Sequence, residues 1–447
     1  MRRTIEQDRG AQLLMSADPE IELDRARARL ERATVLLTVG DAAPSEWGQA
    51  TLLTAVECAV RMFRGGVFVV GNLDVQLSVG TEPHGLLRRR LVEAGCLDRE
   101  APDHAIRLHV GIDGTSSTFI RCWADGWLAT VSASRPETAV HDGNVLSGAT
   151  AGALAVSECF RRAVMNDPRA GRRTQRISPL TPGEAVASDM ALTKLPAKAW
   201  LLGLGNLGQA VLWVLGLLPY ADPGGVELVL QDPDASAPEN LDTQLLTTFG
   251  WIGTTKARNA SAWAKRRGFF TVVTERRFSA STRRGSEEPG LLFVGVDNVP
   301  TRRLAANRQA GFDLVIDAGL GATGAEVFDL RIHSFPGARA PAEAWPADAH
   351  GPDAAGTLTP ALAKLVDDGR LDRCGAVNIA GSSVGVPTTA VVAAAIQVAQ
   401  ACRAISRSTY CDLIDTTLTD VRRTTAHGAR LERTGVLPFQ LSRTRGG

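Results

Sequence analysis

The chain has 447 residues, and its 49 basic and 48 acidic residues give a formal net charge of +1. A single hydrophobic core stops growing at about 250–300 residues, so this length predicts two domains. The balanced charge gives no electrostatic footprint for nucleic acid or for an anionic membrane, and we expect neither as a partner.

The sequence also bears on where the protein resides. The N-terminal residues lack the continuous apolar segment of a signal peptide, and no stretch of about 18 residues is apolar and free of charges and helix breakers. We therefore expect a cytoplasmic protein. The seven cysteines are scattered and form no Cys-x-x-Cys pair, so we expect neither a disulfide framework nor a structural zinc site.

The first half of the chain predicts a Rossmann-like unit. A charged helix leads into an apolar strand, a helix and a second strand, at 24–33, 33–40, 47–64 and 65–71. The turn after the first strand, GDAAPSEWGQ, lacks the glycines that let a backbone approach a phosphate closely. A buried helix over 146–165 precedes an arginine-rich stretch. We predict a degenerate, non-binding domain over 1–190.

The same order of strand, turn, helix and strand returns from Ala199, which predicts a second domain over 191–447. Two further strand-like runs, a loop or crossover rich in Pro and Ala, and a packed helix follow at 290–298, 312–321, 336–373 and 387–405. We expect an α/β fold with two Rossmann-like, mostly parallel sheets flanked by helices, of which the second binds a nucleotide.

A glycine-rich turn, GLGNLG, joins the first strand and helix of this second domain. Backbone N–H groups at the positive end of a helix dipole can hold phosphate, so the candidate ligands are Gly203, Gly205, Asn206 and Gly208. Asp232 ends the next strand, where a Rossmann unit places an acidic residue on the ribose. These residues alone also fit an oxidoreductase that uses NAD(P), which leaves the motifs that follow unexplained.

Several ordered motifs come after Asp232. They are Asp234, the box Asn240-Leu241-Asp242-Thr243-Gln244, the run Gly253-Thr254-Thr255-Lys256-Ala257, and Asp297-Asn298 followed by Arg302. Together they resemble the ubiquitin-activating (E1-like) adenylyltransferase superfamily, which includes the ThiF- and MoeB-type activators of sulfur carriers. The resemblance covers residues 199–330 and extends through the helix around 384–405.

The resemblance implies a site for ATP and Mg²⁺. Adenylation brings a carboxylate to the α-phosphorus of a triphosphate, so cations must separate two anionic groups. Lys256 is implied on the phosphates and Asp297 on Mg²⁺. The other ATP-binding residues that the resemblance implies are Asp232, Asp234, Asn240 and Gln244. A solvated lysine and a helix N-cap aspartate are the alternatives for Lys256 and Asp297.

The chain departs from the family pattern at one of the cations expected around the phosphates. The family's box carries an arginine that contacts the phosphates, and this chain has Thr243 there, so one of the expected cations is missing from the box. Arg258 or Arg302 could take its place. Arg9, in a stretch similar to the family's N-terminal arginine segment, is a candidate catalytic residue that reaches the phosphates of the opposite adenylation domain.

Cys374 is the second candidate catalytic residue. It precedes the C-terminal helix, similar to where the sulfur-carrier activators keep a cysteine, and this implies a thioester on its thiol. Arg373 beside it would lower the pKa of that thiol. The alternative is a small buried apolar residue.

With its degenerate first half and without Cys-x-x-Cys pairs, the chain resembles an inactive adenylation domain fused to an active one. The resemblance implies an E1-like enzyme that adenylates the C-terminal carboxylate of a ubiquitin-like protein in a bacterial conjugation system, some of which are antiviral. Expected partners are that protein's tail, an E2-like protein and a second copy of the chain. Two alternatives stay open: adenylation of a sulfur carrier or ribosomal peptide, and a non-catalytic scaffold that binds a ubiquitin-like protein.

Overall fold

A computed structural model of the chain describes residues 4–79, 85–113, 120–136, 142–184, 188, 190–192, 194–321, 324, 326–346, 358–380, 384–430 and 441–443. The elements of the first half are, in chain order, α1 (Arg9–Ala17), α2 (Leu23–Arg32), β1 (Thr34–Val39), α3 (Glu46–Met62), β2 (Gly66–Gly71), α4 (Leu87–Glu93), β3 (Ile106–Val110), β4 (Ile120–Asp125), β5 (Leu128–Ser132), α5 (Val145–Ala163) and β6 (Gln175–Ile177).

The second half continues the series. Its elements are β7 (Lys194–Pro196), β8 (Lys198–Leu202), α6 (Asn206–Leu217), β9 (Glu227–Gln231), α7 (Lys256–Arg266), β10 (Phe270–Thr274), β11 (Leu291–Val294), α8 (Val299–Ala306), β12 (Leu314–Leu320), β13 (Asp329–Phe335), α9 (Pro341–Ala344), α10 (Pro360–Asp367), α11 (Arg373–Ala380), α12 (Pro387–Arg407), β14 (Thr409–Thr417), β15 (Thr425–Arg430) and β16 (Leu441–Arg443).

The strands of the first half form a six-stranded sheet in the order β2-β1-β3-β4-β5-β6. The first four of these strands pair in parallel, and β5 and β6 extend the sheet antiparallel. β1 has a parallel neighbour on each side, which suits its unbroken run of Thr, Val and Leu because a central parallel strand is covered on both faces.

The second sheet has eight strands in the order β10-β9-β8-β11-β12-β13-β14-β15. β10, β9, β8, β11 and β12 are parallel, so their carboxyl ends meet at one edge of the sheet. β13, β14 and β15 continue it antiparallel. The predicted α/β fold with two mostly parallel sheets flanked by helices is confirmed.

Some elements differ from the sequence-based prediction. β10 and the antiparallel strands β13, β14 and β15 were not predicted, and the segment predicted as a loop or crossover over 336–373 contains α9 and α10. β10 lies at an edge of the sheet, and Phe270 and Val272 on it are 59% and 40% exposed. The sequence of β10, FTVVT, is nevertheless apolar and β-branched, so the signal for a strand was present and was not used.

Helices from both halves share one hydrophobic core. α12 packs against α5 of the first half and α6 of the second, and it is buried over nearly its whole length. Among the described residues it is the one helix long and apolar enough to cross a membrane, and its burial inside the protein is that of a core helix. The side-chain amide of Gln400 on α12 donates to Pro179 O at 3.0 Å and accepts from Cys411 N at 2.9 Å, which links the two halves.

Helices α3 and α5 approach each other closely because α5 carries glycines at the contact. A Cβ at Gly148 would lie 2.4 Å from Trp47 O, and one at Gly152 would lie 2.3 Å from Thr51 O. Such contacts are too short for any side chain, so the two backbones must separate if either glycine is replaced.

We predict that Gly152→Ala lowers the thermal midpoint of the protein. The added methyl group overpacks the contact between α3 and α5, which costs about 1–3 kcal/mol of folding free energy. The matched control is Gly250→Ala, at an exposed position where the nearest atom would be 3.8 Å from the new Cβ. The measurement is thermal unfolding followed by circular dichroism. Equal midpoints for the two variants would contradict the close approach of α3 and α5.

Candidate nucleotide site

The glycine-rich turn between β8 and α6 is built from positions where a side chain does not fit. Gly203 has a φ of +85°, and a Cβ on it would lie 2.8 Å from Val296 Cγ1. A Cβ on Gly208 would lie 1.8 Å from Gly203 O. α6 therefore begins directly against the turn, with Gly205 as its N-cap and no capping side chain. The first N–H groups of α6 are left available to an anion.

Asp232 braces this turn from the end of β9. It is 5% exposed, and its carboxylate accepts from Leu204 N at 2.6 Å and from Asp234 N at 2.9 Å. Burial raises the pKa of Asp232, and Lys256 together with the two backbone N–H groups opposes that shift. The side chain thus holds the turn in place from the wall of the adjoining cavity.

A cavity of about 730 Å³ opens at the carboxyl ends of the parallel strands. It brings together nearly all of the site residues predicted from the sequence. Those that line it are Arg9, Gly203, Gly205, Asn206, Asp232, Asp234, Asn240, Gln244, Lys256 and Asp297. Gly208 is absent from the lining and acts through the close approach of α6 to the turn.

The box residues are held against α6. Asn240 Oδ1 accepts from Ala237 N at 2.9 Å and caps the short 3₁₀ helix Pro238–Asp242. Gln244 is 4% exposed, and its Oε1 accepts from Gln209 Nε2 at 2.8 Å. The same Gln209 amide donates to Leu204 O at 3.1 Å. The box and the glycine turn are therefore joined by buried hydrogen bonds.

Lys256 lies at the start of α7, where its Nζ is 3.2 Å from Asp234 Oδ2. Its side chain is 13% exposed. The two arginines considered as replacements for a box arginine differ in position. Arg302 lines the cavity but is bound by Asp317, with Nε 2.7 Å from Oδ1, and its Cζ lies 4.9 Å from the ring centre of Trp345. Arg258 lies outside the lining in an exposed pair with Glu275.

Asp297 lies between β11 and α8 at the cavity wall. The N-cap of α8 is Asn298, whose Oδ1 accepts from Thr301 N at 2.9 Å. The alternative that Asp297 caps this helix is therefore wrong, and its carboxylate is left for another role. The described residues contain no group of three or more His, Cys, Asp or Glu that could hold a metal ion by themselves. Mg²⁺ suits this arrangement, since it binds through one or two carboxylates with waters and substrate phosphates.

The structure adds residues that the sequence analysis missed. Arg276, Arg277 and Phe278 line the cavity after β10, and Thr301 does so from α8. The signal for the two arginines was their place directly after a strand of the parallel sheet. β10 was not recognised from its pattern, so that signal was not used.

Arg9 is the first residue of α1, and its Nη1 donates to Gln12 Oε1 at 2.9 Å. Cys374 lies in α11, and its side chain is outside the part of the structure that is described. The other six cysteines are free and buried. Burial raises the pKa of Cys96 and of Cys402 to about 12, so neither is poised as a thiolate.

Comparison with known proteins gives a family. A model of the BilD N-terminal domain matches residues 34–179, and a model of the BilD C-terminal domain matches residues 195–408. A curated relative, the bacterial E1-like protein BilD of Collimonas sp. (strain OK412), is 33% identical over 433 residues, which cover 94% of this chain and 93% of that protein.

Solved structures of E. coli MccB are also similar. MccB with MccA-N7isoASN matches at 14% identity and a TM-score of 0.33, over 54% of this chain and 66% of that chain. MccB with ATP matches at 13% identity and a TM-score of 0.32 over the same shares, so the match spans slightly less than two thirds of those solved chains. From the curated relative and the two domain models, the predicted E1-like relationship is confirmed, and the chain belongs to the BilD family of bacterial E1-like proteins.

Proposed function

We propose that the protein uses Mg-ATP to adenylate the C-terminal carboxylate of a ubiquitin-like protein in a bacterial conjugation system. The observation that carries this proposal is that motifs dispersed from 203 to 297 line a single cavity beside the first turn of α6. These motifs are the glycine turn, the acidic pair, the box, Lys256 and Asp297. Membership of an E1-like family supports the same activity.

The proposed chemistry assigns a role to each part of the wall. A carboxylate oxygen of the partner's tail attacks the α-phosphorus, the bond from that phosphorus to the bridging oxygen breaks, and pyrophosphate leaves. The N–H groups of α6 and the Lys256 ammonium stabilise the negative charge of the phosphates. Asp232 accepts from a ribose hydroxyl, and Asp234, Asn240 and Gln244 complete the nucleotide's surroundings. Mg²⁺ on Asp297 would neutralise the departing pyrophosphate.

We assign no nucleotide to the first half of the chain, and we propose that the domains divide near 190. At the end of β1, a Cβ on Gly40 would lie 1.7 Å from Asp113 Oδ2. The Asp113 carboxylate also accepts from Asp41 N at 3.3 Å and lies 3.1 Å from His109 Nε2. A carboxylate thus occupies the place that corresponds to the phosphate turn, and it would repel a phosphate.

Arg9 and Cys374 complete the proposal. Arg9 contributes positive charge at the phosphates from the cavity wall. The Cys374 thiolate would attack the carbonyl carbon of the acyl adenylate, the bond to the AMP oxygen would break, and AMP would leave. The proposed role of Cys374 rests on its place in α11, between the crossover segment and α12.

We predict that Lys256→Ala lowers ATP–pyrophosphate exchange by about 100-fold or more, because it removes a charge that acts on the phosphates in a desolvated site. The matched control is Lys265→Ala, at an exposed position near the end of the same helix, and we expect it to keep the exchange rate. The assay contains Mg²⁺, ATP, radiolabelled pyrophosphate and a candidate ubiquitin-like protein. Exchange by the Lys256→Ala chain at the rate of the unaltered protein would contradict the assigned role.

We predict that Cys374→Ala keeps ATP–pyrophosphate exchange but abolishes a thiol-labile adduct with the ubiquitin-like protein, because adenylation precedes the transfer. The adduct is followed on gels with and without reductant, and Cys96→Ala serves as the buried-thiol control. An adduct that persists in the Cys374→Ala chain would exclude Cys374 as the residue that carries the thioester.

Exchange without any adduct in the unaltered chain would favour adenylation of a peptide. ATP binding without exchange would favour the scaffold that Thr243 suggests.

A further inference from the structure

Arg64, just beyond the end of α3, joins two carboxylates that belong to different parts of the nucleotide site. Its Nη2 lies 2.5 Å from Asp8 Oδ1 and 3.0 Å from Asp242 Oδ2. Asp8 precedes α1, and Asp242 belongs to the box. Both aspartates are nearly inaccessible, with exposures of 1% and 9%. One guanidinium therefore neutralises two carboxylates that would otherwise repel each other across a desolvated contact.

A second arginine of the same region reinforces this contact. Arg61, in the last turn of α3, donates from Nε to Gln244 O at 2.7 Å. Its own orientation is set by Glu57, whose Oε2 lies 3.2 Å from Arg61 Nη1. The box is thus held on one side by α6 and on the other by the end of α3, which belongs to the first half of the chain.

Asp8 also determines where Arg9 lies. Asp8 is the N-cap of α1 and accepts from Ala11 N at 3.1 Å, and its other oxygen lies 2.8 Å from Arg27 Nε. Arg27 and Arg64 lower the pKa of Asp8 against the opposing effect of burial. The first residue of α1 is therefore fixed relative to Arg64, and that residue is Arg9.

Arg9 and Thr243 lie at the same part of the site. Both line the large cavity and also a small adjoining space of about 20 Å³, whose wall contains Arg64 and Asp242. Gln244, the neighbour of Thr243 in the box, lies beside the N-terminus of α6, because a Cβ on the N-cap Gly205 would be 3.9 Å from Gln244 Nε2. Within the described residues the Arg9 guanidinium donates to the neutral Gln12 and forms no ion pair with a carboxylate, so its positive charge is not neutralised.

We propose that Arg64 is a positioning residue that ties Asp8 to Asp242, so that Arg9 supplies at the phosphates the positive charge that Thr243 does not. The inference rests on the proposed function, since it requires a triphosphate in the cavity. It gives the first half of the chain a role in nucleotide binding although that half holds no nucleotide of its own.

The test compares the binding of Mg-ATP and of AMP to the full-length chain by isothermal titration calorimetry. Arg9→Gln and Arg64→Gln should each weaken Mg-ATP binding by about 10- to 100-fold, which is the effect of losing one hydrogen bond to a charged group. The affinity for AMP should change by less than about twofold. The double variant should bind Mg-ATP no more weakly than Arg9→Gln alone, because Arg64 acts through Arg9. A purely structural role of Arg64 would weaken ATP and AMP alike.

A rescue variant and a matched control sharpen the test. Thr243→Arg in the Arg64→Gln chain supplies the missing charge from the box itself, and it should restore the preference for Mg-ATP over AMP. The control is Arg88→Gln, which removes another arginine that joins two aspartates, Asp74 at 2.8 Å and Asp98 at 2.6 Å, and it should change neither affinity. Asp242→Ala removes the acceptor in the box and leaves Arg64 on Asp8, so it decides the matter should Arg64→Gln fold poorly.

The outcomes separate the inference from the function on which it rests. Failure of the unaltered chain to bind Mg-ATP overturns the proposed function and the inference with it. Mg-ATP binding by the unaltered chain, with the same ratio of ATP to AMP affinity in Arg64→Gln and Asp242→Ala, overturns the role of Arg64 and leaves the proposed function standing. A selective loss of Mg-ATP affinity that Thr243→Arg repairs supports the inference.

Discussion

The packing of α12 between α5 and α6 joins the two halves of the molecule and sets where each sheet lies. α12 is buried along nearly its whole length, so the two sheets cannot separate without exposing a large apolar surface to water. This packing, together with the hydrogen bond from Trp213 Nε1 to Thr54 Oγ1 at 3.0 Å, holds the end of α3 beside the box of the second half. A site formed by one sheet is thereby completed by residues attached to the other.

At the centre of that site, steric exclusion and a buried carboxylate act together. The glycines of the turn let α6 approach so closely that its first N–H groups face the cavity, and Asp232 ties the turn to the end of β9. A buried aspartate is costly unless its oxygens accept hydrogen bonds, and the two backbone N–H groups meet that need. The turn and the first N–H groups of α6 are therefore held in place at the cavity wall by the protein's own contacts.

Positive charge at the site comes from several segments of the chain. A threonine in the box removes one local cation, yet Lys256, Arg9, Arg276, Arg277 and Arg302 all reach the same cavity from different elements. Their surroundings differ, because Arg302 is bound by Asp317 whereas Arg276 and Arg277 stand on the exposed rim. What a phosphate meets depends on which guanidinium groups remain uncompensated, and the sequence of the box alone does not decide that.

The local features of the fold and of the site were predictable from the amino-acid sequence. The glycine turn, Asp232 and the order of the motifs up to Asp297 identified the second sheet and most of its cavity wall, because turns and strand ends depend on neighbouring residues. Three features are evident only in the folded chain: Asn298 caps α8, the residues after β10 reach the cavity, and Arg64 joins Asp8 to Asp242 across 56 and 178 residues of chain. Such contacts depend on how helices from both halves pack in one core, and no local pattern encodes a pairing between residues so far apart.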